Sequence, residues 1–197
     1  DVNGCASDAN IHVSQPEVIS VDVEIINLTC NKSNDGSITI KTIEGGDGTY
    51  SYSWVGLDKG FTSPLKDISL LEADTYKLTV TDGAGATFTK EYIVTEPEEI
   101  SITTNTGKSK LAVDCHGNSN GKITVDIAGG TTPYKYKWIG VTANDVNTVD
   151  NLPAGGYAIS LEDENGCKHN SYTETISGPT APLAITSTVI ENKCDGD

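Results

Sequence analysis

The feature that most constrains this chain is internal repetition, because a repeated segment is expected to fold as a repeated unit. Residues 34–40 (NDGSITI) match residues 119–125 (SNGKITV), and a Gly-Gly pair and a Tyr-x-Tyr-x-Trp run then recur in the same order. Gly36 recurs 85 residues later and Asp82 recurs 81 residues later, so the insertions and deletions fall between the matched segments. The chain is therefore predicted to hold more than one copy of a single domain.

Both ends of the chain match parts of the same unit. Asn3-Gly4-Cys5 matches Asn165-Gly166-Cys167, and the last residues from Cys194 resemble the start of a unit. We expect a piece of a longer tandem array, with these boundaries: the tail of a preceding repeat at 1–20, repeats at 21–98 and 99–180, and the start of a following repeat at 181–197.

Each unit predicts short β-strands separated by tight turns. Apolar residues alternate along residues 122–128, as expected for a strand with one buried face. Asn165-Gly166 is typical of a hairpin turn. Five to seven such strands in a unit of about 80 residues predict an all-β fold of tandem immunoglobulin-like β-sandwich repeats. The large aromatic residues of the Tyr-x-Tyr-x-Trp runs are predicted to lie in the cores: Tyr52, Trp54, Tyr136 and Trp138.

The charge of the chain excludes several functions. Lys and Arg number 13 against 28 Asp and Glu, a net charge of −15, whereas binding to a nucleic-acid backbone requires a basic surface. No apolar run approaches the roughly 20 residues of a membrane span, so no membrane insertion is expected. The chain has no Gly-x-Ser-x-Gly, P-loop or His-Glu-x-x-His motif, and we expect no enzyme activity.

Calcium is the one cofactor that the sequence leaves open. Ca²⁺ takes six to eight oxygen ligands, and oxygen-rich turns surround Asp35 and Asp163. Neither turn matches an EF-hand loop, and Asx-Gly turns form without an ion. We expect no cofactor, and we name Asp35 and Asp163 as the Ca²⁺ candidates.

Five cysteines in a chain without Met indicate an oxidising, extracellular compartment. Two pairing schemes are open. If the chain doubles back at the prolines between units, bridges Cys5–Cys30 and Cys167–Cys194 form across each junction. The alternative is a bridge within one unit, Cys115–Cys167. We favour the junction scheme, which leaves Cys115 free.

The order of these motifs resembles the SprB repeat, which forms long arrays in giant cell-surface adhesins of gliding Bacteroidota. The second unit carries nearly the whole pattern: Cys115, Gly121, Ile123, Gly129, Gly130, Pro133, Tyr134, Tyr136, Trp138, Leu152, Ala154, Gly155, Tyr157, Asp163, Gly166 and Cys167. The first unit departs from it, with Thr49 in place of Pro133, Asp74 in place of Gly155 and Ala86 in place of Cys167. The resemblance implies export by the type IX system and a role in adhesion or gliding.

We therefore expect a structural and adhesive segment of an extracellular, cell-surface filament or adhesin. A net charge of −15 keeps such an array soluble. The expected partners are neighbouring repeats and a surface polysaccharide or substratum. The alternative is a lectin-like module that binds glycans or polymers, for which exposed aromatic residues would be the signature. The alternation of Tyr52 and Trp54 predicts a buried face instead.

Overall fold

A computed structural model describes residues 17–143 and 145–188 of the chain. The described residues contain strands and turns but no helix, and they form two compact units that divide between Pro97 and Glu98. The repeat fragments expected at the two ends stay a prediction, because residues 1–16 and 189–197 lie outside the described part.

The first unit is a sandwich of two antiparallel sheets. The strands in the order β1-β2-β5 form one sheet and those in the order β4-β3-β6-β7 form the other. Their bounds are β1 Ser20–Ile26, β2 Gly36–Glu44, β3 Tyr50–Gly56, β4 Thr62–Ser63, β5 Ile68–Leu71, β6 Asp74–Asp82 and β7 Thr87–Val94. This division of seven strands into sheets of three and four is the immunoglobulin-like arrangement that the sequence predicts.

The second unit repeats the arrangement without the short fourth strand. Its sheets have the orders β8-β9-β11 and β10-β12-β13. The strands are β8 Ser101–Thr104, β9 Gly121–Ala128, β10 Lys135–Ile139, β11 Thr148–Leu152, β12 Gly155–Glu162 and β13 Lys168–Ile176. The predicted fold class, tandem immunoglobulin-like β-sandwiches, is confirmed.

Each core is built from alternate residues of facing strands. In the first unit Ile38 and Leu78 are fully buried, and in the second Ile123 and Ile159 occupy the same positions. Between the sheets of each unit a tyrosine hydroxyl donates to a carbonyl four residues earlier: Tyr76 to Glu72 at 2.9 Å and Tyr157 to Pro153 at 2.8 Å. This tyrosine corner is a recurrent feature of immunoglobulin-like domains.

Leu70 has a backbone conformation that suits leucine poorly. Its φ is +56° and its side chain is 79% exposed, while Asn151, at the same position of the second unit, has φ +55°. Asparagine tolerates this left-handed region far better than leucine does.

Replacing Leu70 by asparagine is therefore expected to raise the free energy of unfolding of the first unit by about 1 kcal/mol. Urea unfolding measures this change. The matched variant Asn151→Leu should destabilise the second unit by a similar amount. A loss of stability in Leu70→Asn would contradict the strain assigned to residue 70.

No helix long and apolar enough to cross a membrane is found within the described residues.

Candidate functional site

The two tryptophans lie in the cores of their sandwiches. Trp54 is fully buried and its indole nitrogen donates to the Lys66 carbonyl at 3.3 Å. Trp138 is 4% exposed and donates to the Val146 carbonyl at 2.9 Å. Tyr52 and Tyr136 are half-buried. Neither indole ring is therefore available to stack on a ligand.

Asp35 lies in the turn that precedes β2. Its Oδ1 accepts hydrogen bonds from the Ser33 hydroxyl at 2.5 Å and from the Thr29 backbone N–H at 3.1 Å. The bond from the Ser33 side chain, followed by those from Thr29, holds the pKa of Asp35 below its ordinary value. The carboxylate therefore orders its own turn.

Asp163 is a buried carboxylate, 1% exposed, in the turn between β12 and β13. Its Oδ1 accepts from the Cys167 backbone N–H at 2.8 Å and its Oδ2 from the Thr131 backbone N–H at 2.9 Å. Both oxygens thus have a donor from the chain itself, and they join the β12–β13 turn to the loop that precedes β10. These two bonds give the carboxylate a structural role.

Within residues 17–143 and 145–188, no three His, Cys, Asp or Glu side chains come together in an arrangement suited to a metal ion. Of the two Ca²⁺ candidates, Asp35 accepts from the Ser33 hydroxyl and the Thr29 backbone, and Asp163 accepts from two backbone N–H groups.

The cysteines of the described part are in two states. Cys30 and Cys167 are each disulfide-bonded, whereas Cys115 is a free and exposed thiol. The alternative bridge Cys115–Cys167 is therefore wrong, since a free Cys115 takes no part in a bridge. The scheme Cys5–Cys30 and Cys167–Cys194 stays a prediction, because Cys5 and Cys194 lie outside the described residues.

Under native, non-reducing conditions we expect a maleimide to label one thiol per chain, because the junction scheme leaves only Cys115 unpaired. Mass spectrometry of the intact chain counts the labels. Cys115→Ser should take none, and the reduced, unfolded chain should take one at each of its five cysteines. Labelling of Cys115→Ser in the native state would exclude the junction scheme.

A group of lysines that the repeat pattern does not predict lies on the outer face of the β10-β12-β13 sheet. Lys135, Glu162 and Lys168 are neighbours across the three strands. The two lysine Nζ atoms lie 3.8 Å and 3.4 Å from the carboxylate oxygens of Glu162. Lys137 follows two residues along β10, opposite Ser160. These side chains line an open groove of about 590 Å³, which we call the lysine groove.

The positions equivalent to these lysines and to Glu162 carry no charge in the first unit. Its cross-strand row Ser51, Thr81 and Thr87 occupies the positions of Lys135, Glu162 and Lys168. Similarly, Ser53 opposite Thr79 occupies the positions of Lys137 and Ser160. The signal for this difference is in the sequence. It lies in the outward positions between the matched aromatic residues, where the two units differ most.

A second shared feature joins the segment after the first strand of each unit to the end of that unit. In the second unit Ala112 and Ser177 form a parallel bridge, with the Val113 N–H donating to the Ser177 carbonyl and the Ser177 N–H donating to the Leu111 carbonyl, both at 2.9 Å. In the first unit the Leu28 N–H donates to the Thr95 carbonyl at 3.0 Å. We call these contacts the terminal clamp.

Comparison with known families identifies the repeat. Residues 23–58 and 113–143 match the family model of the SprB repeat. One segment falls in each unit. The first contains β2, β3 and Trp54, and the second contains β9, β10 and Trp138. The predicted resemblance is confirmed. None of the curated proteins matches this sequence.

Two solved structures are similar to the chain at low identity. Three N-terminal domains of the bacteriophage RB49 highly immunogenic outer capsid protein (Hoc) share 15% identity, over 82% of this chain and 59% of theirs, with a TM-score of 0.47. A C-terminal 282-residue fragment of intimin, solved with the intimin-binding domain of the translocated intimin receptor, shares 13% over 85% and 65%, with a TM-score of 0.37. The chain thus spans less than two thirds of either structure, and the fold assignment depends on the strand order described above.

Proposed function

We propose that this chain, in which two SprB-type repeats follow one another, is a structural and adhesive segment of a long extracellular filament or adhesin at a cell surface. It serves surface adhesion or gliding motility, and the proposal assigns it no catalytic activity. The observation that carries the proposal is the terminal clamp, which recurs in both units.

The clamp suits a domain that transmits force along a chain. Tension enters the second unit through β8 and leaves it after Ser177. The segment that follows β8 runs parallel to the end of the unit where Ala112 faces Ser177, so tension that reaches this contact slides the two segments past each other. Their hydrogen bonds are then loaded together instead of one after another. A sandwich joined in this way resists extension while the interior of the sheet stays unloaded.

The charge and the cysteines also support a position outside the cell. A net charge of −15 keeps a repetitive surface chain soluble and discourages neighbouring copies from collapsing onto it. Disulfide-bonded Cys30 and Cys167 are typical of an oxidising compartment. The proposed partners are neighbouring repeats and a polysaccharide or other substratum.

An antibody raised against residues 17–188 tests the proposal on cells that make the parent protein. It is expected to label intact, unpermeabilised cells, and its Fab fragment is expected to reduce attachment to a surface. A Fab against an unrelated surface protein of the same cells is the control. Labelling only after permeabilisation would contradict the proposed location, and undiminished attachment at saturating Fab would contradict the adhesive role.

A further inference from the structure

We propose that the lysine groove of the second unit binds a carboxylate-bearing polysaccharide. The inference rests on the proposed function, because it names the adhesive partner and places its binding site. It starts from an uneven distribution of charge. Three of the chain's 13 basic side chains, Lys135, Lys137 and Lys168, lie on one small sheet face of a protein whose net charge is −15.

The charges of the groove are only partly neutralised. Lys135 and Lys168 share a single carboxylate, Glu162, and Lys137 makes no ion pair with any described carboxylate. Asp145 contributes one negative charge at the rim. Three ammonium groups against two carboxylates leave the groove positive. At physiological salt, charges are screened beyond about 8 Å, so a ligand in the groove meets this local charge more than the net charge of the chain.

The spacing of the lysines suits a polymer with repeating acidic groups. Lys135 and Lys137 are two residues apart on one strand, about 7 Å, and Lys135 and Lys168 are two strands apart, about 10 Å. These are spacings of the backbone, and the flexible lysine side chains that rise from it can follow carboxylates that recur along a sugar chain. The volume of about 590 Å³ falls in the range of ligand-binding clefts and accommodates a short stretch of sugar chain.

The remaining lining supplies groups that bind sugar hydroxyls. Ser160, whose hydroxyl lies 3.5 Å from the Lys137 carbonyl oxygen, and the exposed Asn170 both line the groove. Asn170 lies at a β-bulge, where the register of β12 and β13 shifts between Ile159 and Leu161. Bulges re-aim side chains and are frequent beside binding sites. Charged side chains are concentrated in the groove, whereas the core of a protein–protein interface is depleted in charge, which favours a glycan over a second copy of the chain.

The first unit provides the design of the decisive variant. Lys135→Ser, Lys137→Ser and Lys168→Thr together give the second unit the residues that the first unit carries at the same positions, so the sandwich is expected to tolerate them. The matched control Lys66→Ser, Lys77→Ser and Lys108→Ser removes the same charge from exposed positions outside the groove. Unfolding midpoints of both variants verify that the units remain folded.

The probe is a polygalacturonate fragment, with the methyl-esterified fragment of the same length as its neutral counterpart. Titration calorimetry is expected to show saturable binding of the acidic fragment alone. The groove variant should weaken it by about tenfold or more, because three charged contacts are lost, and the control variant should not. Binding should also weaken from about 0.1 M to about 1 M salt, as the Debye length falls from about 10 Å to about 3 Å.

Three results would overturn the inference. They are absence of binding to the acidic fragment, equal binding of its esterified form, and equal binding by the groove variant. Sedimentation of the chain without polysaccharide tests whether a second copy of the chain occupies the groove instead. If the native chain self-associates and the groove variant does not, the face is an interface between copies and the polysaccharide is excluded. None of these results bears on whether antibody labels intact cells, so the inference and the proposed function fail separately.

Discussion

Replacing Asp163 by alanine is expected to lower the free energy of unfolding of the second unit by about 3–5 kcal/mol. The carboxylate is 1% exposed and accepts backbone N–H bonds from Cys167 and Thr131. Bonds to a charged group contribute roughly 1.5–3 kcal/mol each, and the substitution leaves both donors without their acceptor. Because the two bonds join a turn to a neighbouring loop, their loss should also loosen that end of the sandwich.

Asp82 in the first unit is the matched control for this prediction. It is also buried, at 5% exposed, but only its Oδ1 accepts a backbone bond, from Ala86 at 2.7 Å. Its Oδ2 is buried without a hydrogen-bond partner among the described residues. Asp82→Ala should therefore lower the free energy of unfolding of the first unit by only about 2 kcal/mol. Hydrogen exchange measured at increasing urea concentration, with mass spectrometry of peptides from each unit, reports the unfolding of the two units separately. Equal losses in the two variants would contradict the role assigned to Asp163.

Replacing Gly129 by alanine is expected to destabilise the second unit by about 2–5 kcal/mol. Gly129 has φ +74°, and a Cβ atom there would lie 2.1 Å from the Glu99 carbonyl oxygen. The left-handed conformation costs roughly 1–2 kcal/mol for alanine, and overpacking against a fixed backbone adds about 1–3 kcal/mol or more. The same contact occurs at Gly45 in the first unit, 2.2 Å from the Val18 carbonyl oxygen.

Gly166→Ala separates the two contributions to this cost. Gly166 has φ +81°, but nothing lies within 4 Å of the position a Cβ would take. This variant should lose only the conformational part, about 1–2 kcal/mol. Urea unfolding of the second unit measures both variants. If Gly129→Ala were no more destabilising than Gly166→Ala, the close approach of the chain at Gly129 would not be what requires glycine.

The sequence predicts the fold well because the cores of the two units follow a simple rule. Alternation places Ile123 and Val125 on a buried face, and the tryptophans fill both sandwiches. The repeat adds independent support, since each pattern occurs twice. The turn residues required by a tight approach, such as Gly129, are visible as shared motifs even though the sequence does not show which atoms they meet.

The candidate sites were harder to predict because they depend on geometry that spacing does not encode. The turn around Asp163 is rich in oxygens whether its carboxylate binds an ion or the backbone. Only the positions of Thr131 and Cys167 decide between these roles. The lysine groove is assembled from two separated stretches of sequence, at Lys135 and Lys168. The match between the two units does not reveal it either, because its members are outward residues that differ between the units.

Each of the two repeats has its own core, and we expect each to bear tension through its terminal clamp. Val113→Pro offers a variant of the clamp, because it removes the N–H that bonds to Ser177. It should lower the unfolding force of one unit and leave the other unchanged.

Single-molecule extension of the whole chain, under reducing conditions, is the most direct test. The account predicts two separate unfolding events, each releasing a length of about 250 Å, as expected when roughly 75 residues extend at about 3.5 Å per residue. Stretching without discrete force peaks, or one event releasing the whole chain, would contradict the claim.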